Sequence, residues 1–336
     1  MWALANRTPY AAGRNWIRDK QGVHQWLVAV KATFDVSPAG KVTLSDEQPA
    51  PLLEPRYRGD PASSSLCLDS DLLAVKPNTD IVLDAAAHAP NSKPAPVVPV
   101  GFRVGDVEKS LLVHGTRVYY RGALGLTTTA PKPFITQPIQ YELAFGGVDV
   151  AHPNPEKHRI DARNPVGRGF AADSGALEQQ LAHSIEYPNQ EAKKAGPAGF
   201  GPIASFWSPR HQRSGTYDAR WETSKRPLLP DDYDDRHALS SPDDQRPAHF
   251  LRGGELVAMS NLTEGGFLRF ELPKVLLVFR TFFGKRAEDH RASMTTVFLE
   301  PDRAQVSLVW QTAIPVHARD VDYLDTTLIT EKHYLD

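Results

Sequence analysis

The stretch from Tyr141 to Trp221 constrains the fold most strongly, because it combines many Gly, Pro and Asn residues with many aromatic residues. Gly adopts backbone angles that other residues rarely tolerate, whereas Pro fixes its own φ and lacks a backbone donor. One long helix or a central strand is therefore excluded here. A disordered linker would contain few aromatic residues. The aromatic residues of this stretch include Phe145, Phe170, Phe200, Phe206, Trp207, Tyr217 and Trp221. We predict that residues 141–250 form an ordered but irregular platform, whose loops are held by buried rings.

The first 140 residues are predicted to contain many short strands. Apolar residues of segment 26–36 alternate onto one face, whereas Lys31 and Thr33 fall on the other. A Ser-Pro-Ala-Gly turn separates this segment from residues 41–44, which predicts a hairpin. Four more short strands are predicted at residues 81–83, 97–104, 109–113 and 117–120. Such spacing is typical of antiparallel sandwiches and barrels.

Residues 251–336 form a second strand-rich region, and helices are few. The strands predicted there are residues 255–260, 267–272, 275–283, 293–299 and 305–312. A helix is predicted over residues 174–186, because Leu177, Leu181 and Ile185 recur at four-residue steps. A short C-terminal helix is predicted to start at Asp320, whose side chain would cap it.

These patterns predict a mainly β (α+β) fold with antiparallel sandwich- or barrel-like sheets, a long Gly/Pro-rich irregular insertion and few short helices. No change in composition is strong enough to separate domains. We therefore expect one domain over residues 1–336, with a strand-rich part (1–140), the platform (141–250) and a second strand-rich part (251–336).

Charge and cysteine content exclude several classes of protein. The chain has 38 Lys and Arg against 40 Asp and Glu, a net charge of −2, so there is no bulk electrostatic attraction to nucleic acid or to an anionic membrane. The single cysteine, Cys67, excludes an internal disulfide framework and a cysteine-based zinc cluster. No apolar run approaches the roughly 20 residues of a membrane helix, and the N-terminal residues do not resemble a secretory signal. We expect a cytoplasmic protein.

Common catalytic signatures are absent from the sequence, including the G-x-S-x-G elbow, the P-loop and the H-E-x-x-H motif. The pairs Gly167-x-Gly169 and Gly199-x-Gly201 are similar to parts of a nucleotide-binding loop. Neither pair follows a strand and opens a helix, so we interpret them as turn glycines. His183 and Glu186 have helical spacing, but a metal site would need a second pair. We predict no catalytic residue, no metal and no cofactor.

An acidic loop contains Asp231, Asp232, Asp234 and Asp235. It lacks the glycine turn and terminal glutamate of a calcium-binding hand. Asp231 or Asp234 could pair with Glu255 in glycoside hydrolysis, which needs two carboxyl groups facing one cleft. The loop could also be a solvated turn whose acids act as caps, or a docking surface for a basic partner. We expect all four side chains to be exposed and to contribute little to folding.

Cys67 lies in a strand-like segment, which favours a buried and inert thiol over a nucleophile. Trp207, Trp221 and Trp310 are most simply explained as core residues. Of these, Trp207, close to Arg210, is the best candidate to line an interface.

Many short phrases occur along the chain in a fixed order. In the first part they are Asn6-x-Thr8-Pro9-Tyr10, Val30-Lys31-Ala32-Thr33-Phe34-Asp35, Ser70-Asp71-Leu72, Lys76-Pro77-x-Thr79-Asp80 and Ala87-His88-Ala89-Pro90. In the platform they are Tyr141-Glu142-x-Ala144-Phe145-Gly146-Gly147, Asn164-Pro165-Val166-Gly167-Arg168-Gly169-Phe170, Pro188-Asn189-Gln190-Glu191, Pro197-Ala198-Gly199-Phe200-Gly201-Pro202 and Gly215-Thr216-Tyr217-Asp218. The later ones are Pro230-Asp231-Asp232-Tyr233-Asp234, Asp244-Gln245-Arg246, Leu251-Arg252-Gly253-Gly254-Glu255 and Asn261-Leu262-Thr263.

Through these phrases the chain resembles a type VI secretion accessory family that was long catalogued as a domain of unknown function and is often followed by pentapeptide repeats. The resemblance covers nearly the whole chain. It departs at Gly115-x-Arg117-x-Tyr119, where the family has Trp in place of Tyr, and at residues 237–242, where the family has an aromatic and Asn-rich phrase. No pentapeptide repeat follows Asp336, so we expect the stand-alone form.

The resemblance implies a non-enzymatic adaptor, or chaperone, that binds a toxic effector with a PAAR domain and helps to load it onto the VgrG spike. Two alternatives remain open, a carbohydrate-active hydrolase and a carbohydrate-binding β-module. For the adaptor, partner contacts are expected in the platform and the acidic loop. The residues predicted to make them are Arg168, Trp207, Arg210, Asp231, Asp232, Asp234, Asp235 and Arg246.

Overall fold

The computed structural model describes residues 2–317 and 324–332, in which strands predominate and helices are short. The strands before the platform are β1 (Ala3–Asn6), β2 (Ala11–Arg18), β3 (His24–Val36), β4 (Val42–Leu44), β5 (Arg56–Tyr57), β6 (Leu66–Leu68), β7 (Asp80–Leu83), β8 (Ala86–His88), β9 (Val97–Val104), β10 (Val107–His114), β11 (Tyr119–Gly122), β12 (Gly125–Thr128) and β13 (Thr136–Pro138). Those of the platform are β14 (Phe145–Gly146), β15 (Val148–Asp149), β16 (Arg159–Ile160), β17 (Arg168–Gly169) and β18 (Ile185–Glu186). The remaining strands are β19 (Leu256–Ser260), β20 (Phe267–Glu271), β21 (Leu277–Phe283), β22 (Arg286–Arg291), β23 (Ser293–Glu300), β24 (Gln305–Val316) and β25 (Leu324–Glu331).

The helices are single turns or little more. The α-helices are α1 (Ala192–Ala195) and α2 (Ala219–Ser224). The 3-10 helices are Pro90–Ser92, Tyr141–Leu143, Pro155–Lys157, Ser174–Leu177, His211–Arg213, Asp235–Ala238, Asp243–Gln245 and Pro301–Arg303. In the part of the chain that the structure describes, no helix has the length and apolar character needed to cross a membrane.

Three larger sheets contain most of the strands, and each combines early and late parts of the chain. One has six strands, with the path β2-β3-β24-β23-β7 and β4 paired to β3. A second has the order β18-β10-β9-β19-β20, and a third has the order β1-β25-β21-β22. Most pairs are antiparallel, whereas β1 with β25 and β7 with β23 are parallel. The fold is mainly β, as predicted, and no sheet within the described residues closes into a barrel.

Strand β3 lies inside the six-stranded sheet and is covered on both faces. Trp26 and Val28 belong to the main hydrophobic cluster, while Leu27 and Ala29 pack in a second cluster with Leu72. The expected division of this strand into an apolar and a polar face is therefore wrong. Because a second layer covers that face, even Lys31 and Thr33 are buried.

The second layer over this face is residues 69–76, which we call the covering segment. Gln311 on β24 holds it, because its side-chain amide donates to the carbonyl oxygens of Asp71 and Ala74 at 2.7 and 3.2 Å. Its side-chain oxygen accepts from the backbone amide of Lys76 at 3.0 Å. The covering segment forms one wall of the cleft described below.

One hydrophobic cluster draws on all three parts of the sequence. Trp26, Val100, Phe200, Val257 and Leu308 are all buried in it. Tyr141, Phe200 and Trp207 of the platform are thus anchored in the same core as the strands, whereas Phe206 and Tyr217 are exposed. This arrangement agrees with the prediction of loops held by buried aromatic residues.

One helix prediction is wrong in the described residues. Of segment 174–186, only Ser174–Leu177 forms a 3-10 turn, and Ile185–Glu186 is strand β18. Gln179 has a φ of 66°, a left-handed conformation that ends the turn. The helix predicted from Asp320 begins outside the described residues, and the chain that follows is β25 (Leu324–Glu331).

Candidate functional site

The platform and the covering segment enclose an open cleft of about 620 Å³, which we call the platform cleft. Its third wall is the turn between β2 and β3, including Lys20. Two of the predicted site residues, Arg210 and Asp235, line it. The cleft therefore joins three segments that are far apart in sequence.

The ion pair of Asp69 and Arg210 links two of these walls. Arg210 Nη2 lies 2.9 Å from Asp69 Oδ2, and the arginine is only 4% exposed. Its other nitrogens donate to the carbonyl oxygens of His237 and Ile203 at 3.0 and 2.6 Å. Each of the three guanidinium nitrogens has a partner inside the protein, so Arg210 supports the cleft and does not offer an unpaired charge to a ligand.

Behind the cleft, a buried network fixes the end of the covering segment. Lys76 Nζ lies 2.8 Å from Asp80 Oδ2 and donates to Thr296 Oγ1 at 2.9 Å. The backbone amides and hydroxyls of Ser240 and Ser241 donate to the same carboxylate at 2.7–3.1 Å. Burial by itself raises the pKa of Asp80, but Lys76 and the serine donors outweigh it and lower that pKa to about 2. The carboxylate is therefore ionised and pins the platform to β7.

Apolar side chains lie exposed around the platform cleft. Leu73, Val75 and Tyr217 line it and are 52%, 43% and 52% exposed, respectively. His237, also in the lining, has a pKa lowered first by burial and then by Arg210, so it is neutral near pH 7. The cleft thus combines exposed apolar side chains with buried ionic groups that are already paired. Arg18, also in the lining, is exposed and forms no salt bridge within the described residues.

Two carboxylates of the acidic loop are bound internally. Asp232 accepts hydrogen bonds from the backbone amide and the hydroxyl of Thr216, at 2.9 and 2.7 Å. Asp234 caps the turn Asp235–Ala238 and pairs with Arg236. Hydrogen bonds from Arg236 lower the pKa of Asp234 to about 2. Asp234 is only partly exposed, which corrects the expectation that all four acids are exposed.

The other two acids of the loop have basic neighbours. Asp231 Oδ1 lies 2.5 Å from Lys225 Nζ, and Asp235 Oδ2 lies 3.6 Å from Lys20 Nζ. The second of these pairs joins the loop to the β2–β3 turn. The four carboxylates therefore do not form an uncompensated negative patch. Asp234 is a turn cap, and a docking role for the loop stays a prediction.

Trp207 does not line a surface. It is 1% exposed, and its ring packs edge-on against Tyr141 with 5.8 Å between the ring centroids. Trp310 is buried as predicted, and so is Cys67 on strand β6. The partner contact expected from Trp207 is therefore wrong, because its indole is part of the core.

Arg168 and Arg246 also lie outside the lining of the platform cleft. Arg168 is half-buried on β17, which pairs with β14. The Arg246 side chain is 10% exposed and contacts Asp243 and Ser241, and burial lowers its pKa. It supports the serine that donates to Asp80, so its role is internal.

A family model described as "Uncharacterized protein conserved in bacteria (DUF2169)" matches residues 21–311. The chain belongs to the DUF2169 family. Neither a curated protein nor a solved structure matches the chain.

The fixed phrases of this DUF2169 protein hold its buried backbone together. Asn164, at 0% exposure, donates to the carbonyl oxygens of Tyr141 and Phe145 at 2.7 and 3.0 Å. Gln245, also at 0%, donates to Ile81 and Phe200, both at 2.9 Å. These side chains supply hydrogen bonds to buried carbonyl oxygens that regular strands or helices would otherwise pair with backbone amides.

Glu186 of this DUF2169 protein is the centre of a polar cluster, not half of a metal site. His183 Nε2 lies 3.0 Å and Arg117 Nη2 2.5 Å from Glu186 Oε1, and His114 Nε2 lies 3.3 Å from Oε2. Burial raises the pKa of Glu186, but its His and Arg neighbours together hold it well below the usual range. Within residues 2–317 and 324–332, no three His, Cys, Asp or Glu side chains are arranged to hold a metal ion.

The carboxylates proposed for glycoside hydrolysis have structural partners. Glu255 accepts from the backbone amides of Arg252 and Gly253 at 2.7 and 2.8 Å. Asp231 and Asp234 are paired as described above, and Asp231 lines a small cleft with Trp221. Asp218 and Asp232 also line this cleft, but Glu255 and Asp234 do not, so the expected pairing with Glu255 does not face it.

Sequence reasoning missed Asp69, Lys76 and Asp80, which shape the platform cleft. The one available signal is the spacing of Lys76 and Asp80, four residues apart within the phrase Lys76-Pro77-x-Thr79-Asp80. Their further partners Ser240 and Ser241 lie 160 and 161 residues from Asp80 in sequence, so no local pattern reveals them.

Proposed function

We propose that this protein is a non-enzymatic adaptor, or chaperone, for a type VI secretion effector with a PAAR domain, and that the platform cleft binds the effector. The observation that carries the proposal is the exposed apolar set Leu73, Val75 and Tyr217 around a cleft whose buried charged groups are already paired. Exposed apolar side chains around a cleft favour a protein partner. The resemblance in sequence supplies the class of partner.

The rigidity of the cleft supports the same role. Its walls are joined by the Asp69–Arg210 pair and backed by the Lys76–Asp80 network. A surface that is already ordered loses little conformational entropy on binding, so more of the contact energy remains as affinity. Loading of the effector onto the VgrG spike is the step that we assign to the complex.

Co-expression with a PAAR-domain effector tests this function. We expect the adaptor to raise the soluble yield of the effector and to elute with it from a size-exclusion column. The double variant Leu73→Asp/Tyr217→Asp should lose co-elution. A matched control is Leu124→Asp/Ile160→Asp, which changes two exposed apolar residues outside the cleft.

The outcomes separate the function from its location. Separate elution of the wild-type protein and the effector at micromolar concentration, with no gain in soluble effector, contradicts the adaptor function. If the cleft variant still co-elutes with the effector and the control variant does not, the adaptor function is supported but the effector binds outside the platform cleft.

A further inference from the structure

A second and larger groove, of about 1290 Å³, lies between the four-stranded sheet and β23 of the six-stranded sheet. We call it the basic groove. Its apolar lining includes Phe250, Leu276 and Val278, of which Leu276 is 40% exposed. No predicted site residue lines it, and the proposed function does not use it.

Four exposed cations surround these apolar residues. They are Arg252, Lys274, Arg291 and Lys332. None of them forms a salt bridge with another residue in the described part of the chain. In this they differ from Arg210 and Lys76 at the platform cleft, whose charges are used internally.

Among the described residues, the other ionisable groups of this groove offset its positive charge only in part, because Asp289 also attracts Lys332. Asp289 in the lining is held by Arg280 through two contacts, at 2.6 and 2.8 Å. His290 is bonded to the hydroxyls of Thr281 and Thr312, and burial lowers its pKa to about 4, so it is neutral near pH 7. The groove therefore carries a net positive charge above an apolar lining.

The backbone holds two of these cations in place. Gly253 and Gly254 have φ values of 88° and 87°, and a Cβ at Gly254 would lie 2.2 Å from Lys274 Cε. The Lys274 chain thus lies directly across Gly254. Glu255 binds the amides of Arg252 and Gly253, which fixes the turn that carries Arg252. The phrase Leu251-Arg252-Gly253-Gly254-Glu255 therefore builds one wall of the basic groove.

We propose that the basic groove binds an acidic peptide segment with apolar side chains, contributed by a protein partner. The unpaired cations complement Asp and Glu side chains, and the apolar lining accepts the residues between them. The chemistry of the segment follows from the groove alone. Only its source, an effector or spike component, rests on the proposed adaptor function. A second copy of this chain is the competing occupant.

A labelled synthetic peptide that alternates Glu with Leu and Phe tests the groove without any effector. Its binding to the full-length protein is followed by fluorescence anisotropy at about 50 mM and about 500 mM salt. We expect Lys274→Glu/Arg291→Glu to weaken binding roughly tenfold or more at low salt, because two attractions become repulsions. The difference should shrink at high salt. Lys274→Gln/Arg291→Gln, which removes the two charges without reversing them, should weaken binding less. It replaces the charge-reversed variant in this test if that variant does not fold.

Lys285→Glu/Arg269→Glu is the matched control, because it makes the same change of charge at exposed residues outside the groove lining. An equal loss in the control would reduce the effect to net charge and overturn the proposal. So would failure of the wild-type protein to bind the peptide. Sedimentation tests the competing occupant. If the wild-type protein forms a concentration-dependent dimer that the groove variant abolishes, the groove binds a second copy of this chain and the acidic-peptide proposal is overturned. None of these results depends on co-elution with the effector, so the proposed function stands or fails separately.

Discussion

Arg210 of the platform lies 2.9 Å from Asp69 of the covering segment, and both side chains are largely buried. This contact holds together two walls of the platform cleft. A buried ion pair is strongly destabilised when one partner is removed, because the other charge is left uncompensated.

We therefore predict that Arg210→Met lowers the free energy of unfolding by about 3–5 kcal/mol. The double variant Asp69→Asn/Arg210→Met should recover part of this loss, because it removes the stranded carboxylate. Urea denaturation of the two single variants and the double variant measures the coupling. Strictly additive losses would mean that the two residues do not act as a pair.

The pH dependence of stability should report the network around Asp80. Its pKa falls from 3.8 to about 2 on folding, so its contribution is fully present above about pH 4 and is lost as pH falls through 2. The shift corresponds to about 2 kcal/mol at neutral pH. The difference in unfolding free energy between wild type and Asp80→Asn should shrink as pH falls from 4 to 2. Asp46→Asn, which makes the same change at an exposed residue outside the network, is the control. A flat difference for Asp80→Asn would contradict the assignment.

Gly169 tests the packing of the platform. Its φ is 93°, and an added Cβ would lie 2.4 Å from the hydroxyl of Tyr119. Gly169→Ala should lower the free energy of unfolding by about 1–3 kcal/mol, through backbone strain and this overlap. Gly265→Ala, with nothing within 4 Å of the added Cβ, is the matched control and should have little effect. Thermal melting compares the two, and equal melting temperatures would show that the platform tolerates the added atom.

Acids of the acidic loop that are bound inside the protein should affect the melting temperature when they are replaced, whereas exposed acids of the same loop should not. Asp232→Ala should lower the melting temperature, because Thr216 loses the acceptor for both its amide and its hydroxyl. Asp235→Ala should leave it nearly unchanged, because Asp235 is exposed and its only salt bridge in the described residues is the 3.6 Å contact with Lys20. Differential scanning calorimetry of the two variants checks this order. The reverse order would contradict the assignment of Asp232 to an internal role and of Asp235 to an external one.

Much of the β-structure was predictable because it follows hydrophobic alternation. Segments 26–36, 97–104 and 305–312 all lie within observed strands, as do the residues of the predicted 41–44 hairpin that form β4. Strand β22 (Arg286–Arg291) was missed, since it is a mostly charged edge strand with little apolar patterning. The helix predicted at 174–186 failed because its backbone donors found partners in strands. For example, the amide of Gln179 donates to the carbonyl oxygen of Tyr119 on β11 at 2.9 Å.

The candidate site was predictable only in part. The sequence singled out Arg210 by its position close to Trp207 and Asp235 by the acidic loop, and both line the cleft. The sequence could not show that Trp207 turns inward, since burial of a ring depends on distant neighbours such as Tyr141. It also could not reveal the apolar set with Leu73, which becomes part of a cleft only when the covering segment folds over the sheet.

The most direct test of the adaptor function is isothermal titration calorimetry of a purified PAAR-domain effector into the wild-type protein and into Leu73→Asp/Tyr217→Asp. We predict a Kd of about 1 μM or lower for wild type, which corresponds to roughly −8 kcal/mol, and a loss of tenfold or more in the cleft variant, about 1.4 kcal/mol. No heat of binding with a folded wild-type protein and a folded effector would contradict the account.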